Sequence, residues 1–167
     1  MLILGVVAWQ PPVLGQEGEA PDLAHYGAWR INMEKTEEAM GRPFTRQGPE
    51  FTWFLQPERD GLRFTVFETY PQDQPDRSYF ATLDGTEWPD PHGPGMNETV
   101  SLWKTDRFAI YRMVRENGVP TQRTLYTVSP DGNTFSANDM IFDRVDLPFP
   151  EIRLDLFPQG GKVLSAR

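Results

Sequence analysis

The sequence has no cysteine and only two histidines, His25 and His92. Disulfides, thiolate metal ligands and cysteine nucleophiles are thereby excluded together, and two imidazoles without thiols do not make a structural zinc site. Basic residues are in short supply: 16 Lys plus Arg face 24 Asp plus Glu, for a net charge of −8. The summed field repels nucleic-acid phosphates and anionic lipid headgroups, so nucleic acid is not an expected partner. Long apolar runs are missing as well. The apolar stretch Leu2 to Trp9 stops at Gln10-Pro11-Pro12, well short of the roughly 20 residues that a membrane-spanning helix needs. Gly-x-Ser-x-Gly, a Gly-rich phosphate loop and His-Glu-x-x-His are all absent, which leaves no signature for a serine hydrolase, a P-loop or a zinc peptidase. No cofactor and no metal site are expected.

What the chain does have is apolar surface. Hydrophobic residues make up 38% of its 167 residues, with 5 Trp, 5 Tyr and 11 Phe, enough burial to offset the entropy of folding one domain of ordinary size. The N-terminal run, followed by Val13-Leu14-Gly15 before Gln16, has the length and position of the hydrophobic part of a secretory signal, although no basic residues precede it. The expectation is a periplasmic or secreted protein, divided into a signal segment at 1–15, a flexible spacer at 16–24, the domain at 25–145 and a C-terminal tail or edge strand at 146–167.

From Ala28 onward the dominant hydrophobic period is two, punctuated by Gly, Pro, Asn and Asp, which is the pattern of consecutive antiparallel strands. Strands are predicted over 28–33, 50–56, 62–69, 77–83, 86–89, 97–104, 107–115, 119–129 and 134–143, with a further alternating stretch at 151–157. Only Glu34 to Met40, stopped by Gly41 and Pro43, reads as helix, of at most about two turns. Asp60-Gly61 is expected to supply the positive φ of a hairpin, and Asp84-Gly85 that of a second turn with a short return strand. Short turns force each strand beside the last, and a sheet of about eight or nine strands without covering helices is expected to close. The predicted fold is an all-β, antiparallel up-and-down barrel.

The segment His25-Tyr26-Gly27-Ala28-Trp29 resembles the Gly-x-Trp that opens the first strand of lipocalin and calycin barrels. The later runs Leu83 to Pro89, Glu98 to Leu102 and Val128 to Thr134 are similar to a group of exported, lipocalin-like bacterial proteins of mostly unknown function, and the resemblance spans Tyr26 to Asp143. It implies a calycin-type barrel and binding of an apolar ligand, and it transfers no catalytic residue. It also implies that Gly27 and Trp29 belong to the closed end and that a late arginine, for which Arg144 is the nearest candidate, stacks over the indole. The chain departs from lipocalins in lacking their disulfide and in its proline-rich tail.

Two readings of the aromatic residues remain open, a ligand-binding barrel and a structural module with a solid core. Trp53, Phe64, Tyr79, Trp103, Tyr111 and Tyr126 lie on separate predicted strands, and either they line a cavity that takes a small apolar molecule or they fill a solid core. An enzyme of the isomerase, cyclase or lyase kind is the alternative to a binding protein. Its general base would be Glu68, if burial beside Phe64 and Val66 raises the carboxyl pKa, with Arg112 or Arg123 as partner. His92, in the Pro/Gly-rich stretch Trp88 to Gly95, is the other candidate base, and a plain turn residue is the simpler account of it.

Overall fold

A computed structural model describes residues 21–44, 51–91, 93, 95 and 97–151. The expected signal segment, most of the spacer, His92 and the stretch 152–157 lie outside the described residues. Ten strands and one helix follow in the order β1 (Gly27–Ile31), α1 (Met33–Met40), β2 (Thr52–Glu58), β3 (Gly61–Phe67), β4 (Arg77–Thr82), β5 (Trp88–Pro89), β6 (Glu98–Lys104), β7 (Ala109–Glu116), β8 (Val119–Val128), β9 (Thr134–Ala137) and β10 (Met140–Val145). They form one antiparallel sheet in the order β4-β3-β2-β1-β10-β9-β8-β7-β6-β5. β10 lies against β1, with Trp29 opposite Arg144 and Ile31 opposite Phe142, so the sheet curls into a nearly closed up-and-down barrel.

The seam falls between β4 and β6 and is fastened differently at its two ends. At one end the backbone closes it: Gly85 N–H donates to Leu102 O at 2.8 Å and Lys104 N–H to Leu83 O at 3.1 Å. At the other end side chains do so. Arg77 on β4 reaches both Asp90 and Glu98, its Nε lying 2.7 Å from Asp90 Oδ2. β5 pairs with β6 rather than returning along β4. This corrects the expected return strand, because the backbone groups of Leu83 and Gly85 are already taken by β6.

Two further turns differ from expectation. The predicted strand 134–143 is a hairpin, β9 and β10 joined by Asn138-Asp139 with Asn138 at φ 54. Phe135 and Ala137 are buried on odd numbers and Phe142 on an even one, so the inward phase slips between them, as a turn demands. In the β2–β3 hairpin the left-handed residue is Arg59, at φ 49, and not Gly61. Gly61 is needed for space instead: a Cβ there would sit 2.2 Å from Ala81 O.

The helix starts where Asn32 caps it, its side-chain oxygen accepting from Lys35 N–H at 3.0 Å, and it ends at Gly41 in the left-handed region, φ 64. Thr36 ties it to β10, its hydroxyl accepting from Ile141 N–H at 3.0 Å. The helix lies at the same end of the barrel as the start of β2, since Ile31 N–H donates to Phe51 O at 3.3 Å. At the opposite end the segment before β1 forms a floor: Ala24 N–H donates to Arg107 O at 2.9 Å, and Leu23 and His25 are buried.

His25 carries a testable consequence. It is wholly buried, its Nε2 3.2 Å from Tyr126 O, and its Nδ1 has no partner among the described residues. Burial lowers its pKa from 6.5 to about 4. Between those values the unfolded chain holds a proton that the folded chain refuses. The stabilisation is therefore complete above pH 6.5 and is lost as pH falls toward 4, by about 3 kcal/mol in all. Urea unfolding at pH 7 and pH 4.5 should show that loss in the wild type and a much smaller one in His25→Gln. Equal pH dependence in the two proteins would remove His25 as the cause.

Candidate functional site

The lower half of the barrel is filled. Trp29 is 0% exposed, its indole N–H donates to His25 O at 2.8 Å, and its ring lies 5.4 Å from that of Phe135. Arg144 covers the other side of the ring, its Cζ 4.4 Å from the indole centroid. The guanidinium is held by three carbonyls, those of Gly132 at 2.6 Å, Tyr26 at 3.1 Å and Ala24 at 2.9 Å. Gly27, at φ +149, makes room for it, since a Cβ there would stand 2.6 Å from Arg144 Nη1. This arrangement is a plug, and Trp29 is not among the residues that line the cavity of the upper half.

The upper half, toward α1, holds a cavity of about 450 Å³. Its apolar wall comes from Phe51 and Trp53 on the β2 side, Phe64 and Val66 on β3, and Tyr126 on β8. Trp53 is the hub of this wall, its ring 4.9 Å from Phe64, 6.1 Å from Tyr126, 5.8 Å from Phe135 and 4.2 Å from Phe142. Phe64 stacks on Tyr126 with 8° between planes. Such tilted and stacked contacts fix the ring positions beyond what burial alone does. A second wall is polar: Arg77, Arg112, Gln122 and Thr124 also line the cavity. Its rim carries Glu68, Asp76 and Met140. Of the two sequence readings, a solid core and an aromatic-lined cavity, the lower half of the barrel shows the first and the upper half holds a cavity.

The expected lining residues separate. Trp53 and Tyr126 face the cavity. Tyr79 points inward but lies behind the wall, 2% exposed, stacked on Phe64 at 5.2 Å, with its hydroxyl accepting from Arg112 Nε at 3.2 Å. Its phenol is held above the usual tyrosine range, chiefly by burial. Trp103 and Tyr111 are not among the residues that line this cavity. On β6 and β7 the inward phase belongs to Val100, Leu102, Ile110, Arg112 and Val114. Trp103 and Tyr111 are cross-strand partners on the outer face, their rings 5.8 Å apart. Glu68 stands exposed at the rim, so the low-dielectric setting that a general base needed is not there. Arg123 is exposed on the other face of β8.

The sequence reading named Arg112 only as a partner for Glu68 and missed its place in the cavity wall. It appears between Ile110 and Val114 in strict alternation, and that placement was the available signal: an arginine in the apolar phase of a half-buried strand points inward. It is 4% exposed. Its Nη1 donates to Gln122 Oε1 at 2.6 Å. Arg77, Gln122 and Thr124 gave no such signal, because Arg77 opens its strand and the first half of β8, Val119 to Arg123, shows no apolar alternation.

No family model matches the sequence, and no curated protein matches it as a relative. The barrel, antiparallel and nearly closed with one short helix, is compatible with a lipocalin-like fold.

Proposed function

We propose that the protein binds a small, largely apolar molecule in the upper half of its barrel. The observation that supports this is the cavity of about 450 Å³ behind Phe51, Trp53, Phe64, Val66 and Tyr126, a volume within the usual range for small-molecule sites. An apolar guest would gain about 25 cal/mol for each Å² of its surface withdrawn from water. The walls are prepared in advance, because the ring contacts around Trp53 and the fastened seam hold them without a ligand, and preorganisation lowers the entropic cost of binding. Neither Glu68, exposed at the rim, nor any other described residue supports a proton-transfer reading over this one.

Since Trp53 forms part of the wall, titration with a panel of apolar alcohols and aromatic compounds should change the tryptophan emission saturably. Ala137, 1% exposed and also in the lining, allows a control: Ala137→Phe fills the cavity and should abolish the response while circular dichroism stays that of a β-barrel. A panel that leaves the emission unchanged would count against the proposal.

A further inference from the structure

The reading of the cavity as a ligand site leaves one group unaccounted for, the guanidinium of Arg112. A buried charge is costly unless paired and hydrogen-bonded, and among the described residues the acceptors hydrogen-bonded to this one are neutral, Tyr79 Oη and Gln122 Oε1. Among the described residues no carboxylate forms a salt bridge with it, whereas the neighbouring Arg77 has two. Asp90 exerts a favourable pull on Arg112, but its Oδ2 is engaged by Arg77. Nη2 of Arg112 donates to nothing among the described residues. The side chain nonetheless lines the cavity.

Its neighbours offer donors to the same space. Thr124 is the cross-strand partner of Arg112 and Gln122 lies one inward position further along β8. Both line the cavity. With its Oε1 given to Arg112, Gln122 has an amide N–H₂ that donates to no described residue, and the Thr124 hydroxyl carries a rotatable proton. A guanidinium edge flanked by an amide and a hydroxyl, set opposite an aromatic wall, is the pattern that receives a planar anion bidentately.

We propose that the cavity takes an amphipathic acid, with its carboxylate on Arg112, Gln122 and Thr124 and its apolar body against Trp53, Phe64 and Tyr126. This rests on the binding reading above and narrows it. The protein's net charge of −8 opposes anions at long range, so the selectivity belongs to this local group and is little screened by salt at a buried site.

The test compares two probes of equal chain length, decanoate and 1-decanol, by the tryptophan signal and by calorimetry at pH 7. The wild type should bind decanoate at least tenfold more tightly, and Arg112→Gln should bring the two affinities together mainly by weakening the acid. Thr124→Val, which keeps the shape and removes the hydroxyl, should reduce the preference without touching the charge, and serves if Arg112→Gln does not fold. Equal affinities in the wild type, with both compounds bound, would overturn the acid and leave the apolar reading standing. Binding of neither would overturn both. A preference that survives Arg112→Gln would also overturn the assignment, because the anion would then sit elsewhere.

Discussion

Trp29→Ala is expected to lower the unfolding free energy by about 3–5 kcal/mol, the usual cost of emptying a large buried aromatic site. Three losses add at this position. The ring is wholly buried and packs on Phe135 and under Arg144, so its removal opens a cavity in the filled half of the barrel. His25 O loses the indole donor that satisfies it at 2.8 Å, and an unsatisfied buried carbonyl carries its own penalty. Arg144 loses the aromatic face beneath it, a cation–π contact of about 0.5–2 kcal/mol. Domains of this size have only about 5–15 kcal/mol in reserve, so the variant should unfold at a markedly lower urea midpoint. Trp29→Phe, which keeps a smaller aromatic ring and drops the N–H, should fall between the wild type and the alanine variant. A loss below about 1 kcal/mol for the alanine variant would mean that the plug is not what holds the floor.

The second large effect belongs to the seam. Arg77→Met is expected to cost about 3–5 kcal/mol, because it strands two carboxylates whose shared counter-charge among the described residues is Arg77. The Asp90 side chain is 0% exposed and that of Glu98 5%, and both converge on Nη2 of Arg77. Adding Asp90→Asn and Glu98→Gln to Arg77→Met should restore most of the loss, since uncharged groups can share that space without repulsion. If the triple variant is as unstable as the single one, the contribution of Arg77 lies in packing and not in charge. The seam also explains why the barrel tolerates an incomplete strand ladder. Backbone bonds close it beside Gly85, where a Cβ would meet the Trp103 indole at 2.0 Å, and the ion cluster closes it beside the cavity.

How much of this was readable depends on which signal each element uses. Strands β2, β3, β7 and β8 were legible because alternation and turn residues agree, as at Asn117-Gly118, where both residues take positive φ between β7 and β8. The β9–β10 hairpin was not, because its turn residues interrupt an otherwise continuous apolar stretch and only a slip of parity betrays them. The outer placement of Trp103 and Tyr111 could not be read from residue type, since a tyrosine or tryptophan suits either face of a sheet. Long-range facts were out of reach in a stronger sense. That Arg77 meets Asp90 and Glu98 follows from where the seam falls, and nothing local in the sequence states it. Arg112 is the intermediate case: its strand and phase announce an inward charge, and only the structure shows that its partners are neutral.

The account stands on the upper half of the barrel being hollow and open to a guest. Diffraction from crystals soaked with a bromine-labelled naphthalene tests that directly, because bromine scatters anomalously and marks its own position. The expected result is an anomalous peak enclosed by Trp53, Phe64 and Tyr126, with Arg112 within reach of the ligand's far edge. A peak only against the outer pair Trp103 and Tyr111, or an upper half found closed by side chains, would contradict it.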